Sequence, residues 1–363
     1  MPTPIRVLHR VPLASVAALF AAIFAATAVP VARAQSTHRV GPICIACKNA
    51  VGIRFNIRDK DLERVDGMNI TVWNPRRPTT GVVNGIALGL PSTGGAYLTG
   101  LTIAPVSFNA STRASGISVA GLAYGIGGEA RGILVAGLGG GIAENFTGID
   151  IVGVGSGIGK DATGLLVTFG GLGIGGNLHG IAIAGIGAGI SGSSYGIVAG
   201  GLGAAVSGSM HGISLAGIGF GGTGSLHGIT VAGLGAGIGG DMVGISVAGL
   251  GIGSGGTMRG ISIAGLGIGA QRIDNFAAAL GVGAVETRAA VISGYFRAAD
   301  KNGNGGKATG LFIGAVNDVR GAQHGLSIGV INYARSLSGL QIGVINIVND
   351  GKGPKILPVL NWR

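Results

Sequence analysis

A glycine recurs every 16 residues through the middle of this 363-residue chain and opens a unit of the form Gly-Ile-x-Val. Ten such units follow one another without an insertion, and Gly100 and Gly85 open earlier, more degenerate ones. The ten opening glycines are Gly116, Gly132, Gly148, Gly164, Gly180, Gly196, Gly212, Gly228, Gly244 and Gly260. A fixed period of this kind is the signature of a repeat architecture, in which each unit packs on its neighbours.

The composition narrows the class of repeat. Glycine accounts for 77 of the 363 residues, charged residues for 11% and aromatic residues for 5%, while mean hydropathy is +0.58. Disordered chains have the opposite balance of charge and hydrophobicity, and the Gly-X-Y triplet of collagen is absent. A helical repeat is disfavoured because each interior glycine costs about 1 kcal/mol. The sequence therefore predicts an all-β protein.

Each unit begins with a predicted strand. With Gly228 as position 1, Ile229 and Val231 alternate with Thr230, which is the period of a strand with one buried face. We expect the isoleucines at position 2 to be buried and stacked, with the valines at position 4 (Val231 and Val247) in the neighbouring column. Position 3 then faces outward. The expected core column includes Ile213, Ile229 and Ile245.

The alternation slips in the second half of the unit, where the apolar residues Leu234 and Ile238 occupy positions 7 and 11. A slip of one residue exchanges the two faces of a strand. A bend at Ala232–Gly233 keeps both apolar sets inward, so we predict two short strands joined by a tight arc. A polar turn then closes the unit.

Identical units of this shape stack as parallel rungs. The sequence predicts an all-β, Gly-rich parallel β-solenoid of 16-residue rungs, about 50 Å long over eleven rungs. Its glycine columns form the wall of a thin solenoid or a flat face that packs on something. The alternative is an outer-membrane β-barrel, since one unit is also long enough for a tilted membrane strand and a turn.

The predicted organisation has five parts. Residues 1–34 form a signal peptide, 35–99 an N-terminal cap region, 100–275 the repeat array, 276–309 an irregular segment, and 310–363 shorter C-terminal repeats and a cap. Three units in the last part, opening at Gly310, Gly325 and Gly339, carry an asparagine each. Stacked in parallel, these side chains predict an amide ladder along the axis. The three asparagines are Asn317, Asn332 and Asn346.

The N-terminus predicts export. Arg6 and Arg10 precede an uncharged run from Val11 to Ala32, and Ala32-Arg33-Ala34 fits a cleavage site that leaves Gln35 first. The alternative is a retained anchor, because the run is long enough to span a bilayer. Removing residues 1–34 removes three arginines and no acid, so the net charge changes from +11 to +11 − 3 = +8. We expect a protein of the cell surface, outer membrane or periplasm.

Two cysteines, Cys44 and Cys47, follow this site as Cys-Ile-Ala-Cys. In an exported protein the expected state is a disulfide, with inert thiols as the alternative. A redox role needs a βαβ context and a zinc site needs two further ligands. His38 is the only nearby candidate for such a ligand.

The repeats resemble an uncharacterised class of bacterial exported surface-repeat proteins. The resemblance rests on Gly-Ile-Ser-Leu-Ala-Gly-Ile-Gly from Gly212, on Gly-Leu-Gln-Ile-Gly-Val-Ile-Asn from Gly339, and on Gly67-Met-Asn-Ile-Thr-Val-Trp73-Asn74 as a lead-in. It covers residues 50–363 and implies a surface role without a defined chemistry. Members of the class tend to end in an aromatic residue, whereas this chain ends in Trp362-Arg363.

The residues that could carry chemistry are few. His179, His211 and His227 precede opening glycines, so His211 and His227 would be neighbours on adjacent rungs and could offer imidazoles to a metal. Their column also holds Ser, Thr, Tyr, Val and Arg, which indicates a tolerant turn position. The loop Asp300–Gly305 matches half of a calcium loop, but Leu311 stands where a bidentate Glu is needed.

Carboxylates are scattered over distant units, whereas a glycosidase groove needs them clustered. Asp150 is the exception, since it replaces Ser or Thr inside a strand; facing outward, it would be solvated. We therefore predict no catalytic, cofactor-binding or metal-binding residue, no cofactor and no enzyme activity. The expected function is a non-catalytic structural or adhesive envelope protein, with an outer-membrane barrel or pore as the alternative. The acids of the array are Glu129, Glu144, Asp150, Asp161, Asp241 and Asp274.

The partner is not identified by the sequence. An envelope polymer, a host surface or a second copy would suit a repetitive face, and association with a membrane is compatible with it. Nucleic acid is not expected, because no basic stretch is interleaved with aromatic residues.

Overall fold

The computed structural model describes residues 43–75, 80–351 and 353–363. The predicted signal peptide and the predicted cleavage at Gln35 lie outside the described residues. All regular elements of the described residues are β-strands, 27 in number and joined in one sheet. The strands that precede the strict array are β1 (Ile43–Ile45), β2 (Asn49–Arg58), β3 (Arg64–Trp73), β4 (Val82–Gly89), β5 (Ser92–Ala104) and β6 (Ser107–Ala120).

Within the array, a strand of seven or eight residues alternates with one of four residues. These strands are β7 (Ala123–Ile126), β8 (Glu129–Ala136), β9 (Gly139–Ile142), β10 (Phe146–Val152), β11 (Gly155–Ile158), β12 (Ala162–Thr168), β13 (Gly171–Ile174), β14 (Leu178–Ala184), β15 (Gly187–Ile190), β16 (Ser194–Gly200), β17 (Gly203–Val206), β18 (Met210–Ala216), β19 (Gly219–Gly222), β20 (Leu226–Ala232), β21 (Gly235–Ile238), β22 (Met242–Ala248), β23 (Gly251–Ser254) and β24 (Thr257–Ala264). Three strands complete the chain: β25 (Gly267–Ala298), β26 (Lys307–Val348) and β27 (Ile356–Trp362).

Neighbouring repeats pair in parallel and in register. In β20, Gly228 lies opposite Gly212 of β18 and Gly244 of β22, and the short strand β21 pairs in the same way with β19 and β23. The predicted parallel β-solenoid is confirmed, and the antiparallel alternative is not what these repeats form. The stack extends beyond the strict units, since Gly52, Gly67, Gly85 and Gly100 are also in register.

The predicted bend at Ala232–Gly233 is confirmed, because β20 ends at Ala232 and β21 begins at Gly235. The two residues between these strands both bond to the preceding rung: the Gly233 N–H donates to the Ala216 carbonyl at 3.0 Å and the Leu234 N–H to the Ile218 carbonyl at 2.8 Å. The bend therefore repeats at the same place in every turn without losing its backbone hydrogen bonds.

The predicted orientation of the first strand is wrong. Ile229 and Ile245 are 40% and 41% exposed, whereas Thr230 and Asp150 at position 3 are completely buried. Positions 3, 5, 9, 11 and 15 face the interior, and positions 2, 4, 7 and 16 face outward. The isoleucines that we expected in the core, including Ile213, stand on the outer surface instead.

The opening glycine explains why alternation counted from it was misleading. Gly228 has a φ of 138°, a conformation that L side chains rarely adopt. This residue interrupts the alternation of the strand, so that His227 before it and Ile229 after it both point outward, while the pairing between rungs stays one-to-one. A Cβ built on Gly228 would overlap the carbonyl oxygen of Gly212 in the rung below. The strict glycine column is thus required by the backbone approach between rungs.

The interior is narrow and mixed in character. Large side chains fill position 15, where Met210, Leu226 and Met242 are fully buried, while hydroxyl groups occupy much of position 3. Ser214 and Thr230 share a hydrogen bond of 2.8 Å between adjacent rungs. This bond pairs two hydroxyl groups inside the wall, whereas the buried hydroxyls of Thr168 and Ser194 have no hydrogen-bond partner.

The predicted amide ladder is confirmed. The Asn317 Nδ2 donates to Asn332 Oδ1 at 2.8 Å, and the Asn332 Nδ2 donates to Asn346 Oδ1 at 2.8 Å. All three side chains are completely buried. The last amide donates to the carbonyls of Gly343 and Leu357, which ties the ladder to β27.

Both ends of the rod are closed by polar contacts. At the N-terminal end, Arg54 turns inward at position 3, forms a 2.6 Å ion pair with Asp59 and donates to Asn69 Oδ1 at 2.9 Å. Cys44 and Cys47 form a disulfide beside it, as expected. At the other end, β27 pairs antiparallel with β26 and covers the last rung.

Candidate functional site: the outer apolar face

Three columns of aliphatic side chains line the outside of the array. We call the outer apolar face the columns at positions 2, 4 and 7 of the ten strict units. Exposure reaches 42% at position 2 (Ile261) and 60% at position 7 (Val154). With a rung spacing of about 4.8 Å, ten rungs make a strip about 48 Å long. Soluble monomers rarely expose apolar patches larger than a few hundred Å².

The face has no charged residue at these positions in any of the ten units. Position 2 is Ile except for Leu165, and position 4 is Val, Ile or Leu except for Ala199. Each side chain is flanked by its own copy in the rungs above and below, because the register places Ile229 opposite Ile213 and Ile245. At positions 2 and 4 this lateral contact leaves at most 42% of each residue exposed, which lowers the cost of leaving these two columns in water.

The second sheet of the array presents almost no side chains outward. We call the glycine face the columns at positions 8 and 10, which are glycine in all ten units apart from Ala123 and Ala205. A Cβ built on Gly141, Gly237 or Gly253 would meet nothing within 4 Å. Steric fit therefore does not require glycine at position 10, in contrast to position 1.

Polar groups are gathered on one edge, at positions 12 to 14. Several side chains at position 14 accept a hydrogen bond from the next rung: the Asn177 N–H donates to Asp161 Oδ1 at 2.6 Å, and the Thr257 N–H donates to Asp241 Oδ1 at 2.7 Å. We call positions 12 to 14 the polar edge. Going round one turn, positions 2 to 10 show water aliphatic side chains or glycine, apart from Phe169, which is 78% exposed beside Gly170 at position 7. Positions 12 to 14 show mostly glycine and polar side chains.

A column of basic and aromatic residues, position 16, lies between the polar edge and the outer apolar face. The predicted neighbours His211 and His227 stack with ring centroids 4.9 Å apart and planes 3° from parallel. Tyr195 and His179 extend this stack at 4.9 and 5.0 Å. Arg131 and Arg259, in the same column, have side chains that are each 58% exposed. We call position 16 the border column.

The stacked histidines do not gather further ligands. In the described ranges 43–75, 80–351 and 353–363, no group of three or more His, Cys, Asp or Glu side chains is placed to hold a metal ion. His211 Nδ1 is buried without a hydrogen-bond partner. The loop at Asp300 uses its carboxylate locally, because Oδ1 accepts from the N–H groups of Asn302 and Asn304 at 2.9 and 2.8 Å.

The expectation that an outward Asp150 would be solvated is wrong. Asp150 Oδ1 accepts from the Tyr124 hydroxyl and Oδ2 from the Ser156 hydroxyl, both at 2.5 Å. Burial raises the pKa of Asp150, while these two hydrogen bonds act in the opposite direction. The Tyr124 ring reaches Asp150 from two rungs away, and Gly140 leaves the space, since a Cβ there would overlap the ring.

The sequence analysis missed this network because it treated position 3 as an outer position. A signal was present in the sequence: Tyr124 and Gly140 occupy position 9 in consecutive units, so a large side chain lies next to a residue that has none. The network is sealed in the wall, with Leu134 and Leu166 opposite Asp150 in the adjacent rungs. We regard it as structural, because a sealed carboxyl group meets no substrate.

A shallow groove of about 790 Å³ lies over the N-terminal part of the glycine face. Its floor is the backbone of Gly125, Gly141 and Gly157, and Asn109 stands at one side. The acids Glu129, Glu144 and Asp161 lie on the polar edge and not in this groove. The groove is therefore a shallow surface formed by glycine backbone, without the clustered carboxylates of a catalytic cleft.

Comparison with known proteins found no match: no family model, no curated protein and no solved structure is similar to this chain. Among the described residues, no helix is long and apolar enough to cross a membrane. The geometry of the outer apolar face is therefore the main guide to function.

Proposed function

We propose that this chain is a non-catalytic structural or adhesive protein of the bacterial envelope, which attaches to its target through the outer apolar face. The observation that carries the proposal is the exposure of three aliphatic columns along ten consecutive rungs. An apolar surface of this extent is a feature of binding sites and not of free surfaces.

The rigidity of the wall supports a scaffold role. Backbone hydrogen bonds run from rung to rung through both strands and the bends, and side-chain ladders reinforce them at the polar edge. A face held in this way is preorganised, so attachment carries no entropy cost for ordering loops. The same repeat also presents one chemistry many times, which suits an extended target.

The export expectation completes the proposal. The resemblance to exported surface-repeat proteins and the basic, apolar N-terminal stretch both support a location outside the cytoplasm. Sequencing the N-terminus of protein purified from the native host should return Gln35 as the first residue. A sequence that starts at Met1 would instead favour the retained anchor.

The attachment is tested by two charge-matched pairs of substitutions. Ile229→Glu with Ile245→Glu places two carboxylates on the outer apolar face, whereas Ser191→Glu with Ser207→Glu places two on exposed sites of the polar edge. Each pair lies on adjacent rungs, so the repulsion within the pairs is matched. After cell fractionation, the wild type and the serine pair should remain in the envelope fraction, and the isoleucine pair should be released. Equal behaviour of the two pairs would contradict attachment through this face.

A further inference from the structure

We infer that the target of the outer apolar face is the surface of an anionic lipid bilayer, on which the rod lies flat. This inference rests on the proposed function and names its partner. The aliphatic columns enter the boundary between headgroups and acyl chains, the border column meets the headgroup phosphates, and the polar edge stays in water.

In cross-section the rod is divided into an apolar side and a polar side, as is expected of an element that lies in the interface of a membrane. Helices that lie in the plane of a membrane combine a continuous apolar face with a polar face bearing basic residues at the boundary. This solenoid has the same division in a β architecture. The apolar side runs from position 2 to position 10, and basic and polar groups begin again at positions 12 to 16.

The backbone can enter this layer without leaving donors unpaired. Apolar surroundings make each unsatisfied N–H or C=O costly. Here both strands bond to the rungs on either side, and the bend bonds as well, through the N–H groups of Gly233 and Leu234. The glycine face therefore presents backbone whose hydrogen bonds are already made within the stack.

The charges favour an anionic lipid over a neutral one. The border column carries Arg131, Arg259 and Arg288, with side chains 57–58% exposed, in addition to the stacked histidines. Each of these arginines is ion-paired at the surface, Arg131 with Glu129 at 3.2 Å, Arg259 with Asp274 at 3.7 Å and Arg288 with Glu286 at 2.9 Å. The basic excess that favours an anionic lipid is therefore that of the chain as a whole, +11 − 3 = +8 without residues 1–34. Each basic side chain near an anionic membrane surface contributes about 1 kcal/mol.

A second copy of the chain fits the face less well. A two-fold axis along the rod would set the border column of one copy against the position-7 column of the other, which buries the Arg131–Glu129 and Arg259–Asp274 ion pairs against aliphatic side chains. A two-fold axis across the rod would set the two border columns against each other, cation against cation. Both arrangements lose the charge complementarity that a lipid headgroup supplies.

The test uses a fluorophore whose emission shifts to the blue in an apolar medium. The two native cysteines are joined in a disulfide, so a single introduced cysteine can be labelled. Ile245→Cys places the label on the outer apolar face, and Ser207→Cys places it on the polar edge. Each full-length variant is mixed with vesicles of phosphatidylcholine and phosphatidylglycerol, or of phosphatidylcholine alone.

We expect a blue shift at position 245 and none at position 207, and a larger shift with phosphatidylglycerol than without it. The comparison is internal to the rod, so an N-terminal stretch that also binds lipid does not produce it. Equal responses at the two positions, or no response at 245, would overturn the inference. A shift at 245 that follows protein concentration without vesicles would also overturn it, in favour of a second copy, and would leave attachment through the face intact.

A second measurement removes the dependence on a label. Co-sedimentation with the mixed vesicles should be weakened at least about tenfold by Ile229→Glu with Ile245→Glu relative to Ser191→Glu with Ser207→Glu. Circular dichroism of both variants checks that the fold is kept. Equal sedimentation of two folded variants would contradict docking of this face on lipid.

Discussion

The inner and outer sides of the solenoid wall follow opposite rules. Inward positions of β20 hold Thr230 and Ala232, whereas the outward positions of the same strand hold Ile229 and Val231. Folding alone would favour the reverse, since the larger aliphatic side chains gain most from burial. The difference teaches that the inner side is limited by space and polar pairing, while the outer side keeps apolar surface that the fold does not need.

The glycine column at position 1 and the columns of the glycine face should differ most in how well they tolerate alanine. Gly228→Ala should destabilise the protein by about 3 kcal/mol or more, because the new Cβ would overlap the Gly212 carbonyl and the backbone φ is unsuited to alanine. Gly237→Ala, on the glycine face, should be neutral or stabilise by up to about 1 kcal/mol, because alanine restricts the unfolded chain and meets open space. Denaturant unfolding of both variants measures the difference, and equal losses would refute the two roles.

The amide ladder tests the inner side in the C-terminal stack. Asn332→Ala should cost about 2–3 kcal/mol of stability. The substitution leaves the side-chain oxygen Oδ1 of Asn346 buried without its donor, and it removes one acceptor of the Asn317 side-chain amide. Val330→Ala, at an outward site of the same strand that is 53% exposed, should cost about 1 kcal/mol or less. Thermal unfolding of the pair measures both values. A loss at Val330 as large as that at Asn332 would mean that the outer column also holds the stack together.

Aspartate substitutions in one unit should lower stability in the opposite order to the one that hydropathy alone predicts. Thr230→Asp should cost about 2 kcal/mol, because this turn has Ala236 at the position where Ser156 faces Asp150, and no tyrosine reaches it. Ile229→Asp, at a site open to water, should cost about 1 kcal/mol or less through lost strand propensity. Melting temperatures of the two variants measure this order. A larger loss of stability for the Ile229 variant would support the prediction from the sequence that Ile229 is buried in the core.

Much of the fold could be predicted because the signals were geometric. The fixed period predicted parallel stacking, the slip between Val231 and Leu234 predicted the bend, and the spacing of Asn317, Asn332 and Asn346 predicted the ladder. All three follow from register, which the chain repeats many times. Stacking of His211 on His227 was foreseen for the same reason.

The orientation of the strands could not be predicted from hydropathy. The opening glycine has a positive φ, so alternation before it and after it does not share one phase. The sequence analysis assigned Ile229 to the interior because apolar residues usually lie there. It could not anticipate an inward Arg54 either, because the matching carboxylate of Asp59 enters the interior only through the fold of the N-terminal end. The candidate face was missed with the orientation, since both depend on the conformation of the same glycine.

The smallest predicted effect concerns the one carboxyl group inside the array. Burial between Leu134 and Leu166 raises the pKa of Asp150 above its value in the unfolded chain, which is about 3.9. A raised pKa in the folded state means that the folded protein binds more protons than the unfolded one. The contribution of Asp150 to stability is then complete below the unfolded pKa and is lost as pH rises through the folded pKa.

Asp150→Asn keeps an acceptor for the Tyr124 hydroxyl and removes the titrating group. We expect it to change stability by about 1 kcal/mol or less at low pH, and to be increasingly favourable relative to the wild type as pH rises. The difference between the two proteins should grow by at most about 1.4 kcal/mol per pH unit within that window. Denaturation midpoints across a pH series measure it, with Asp241→Asn on the polar edge as the control for an exposed carboxylate. A difference that stays constant with pH would mean that Asp150 is charged inside the wall, which would require the Tyr124 and Ser156 hydrogen bonds to outweigh burial.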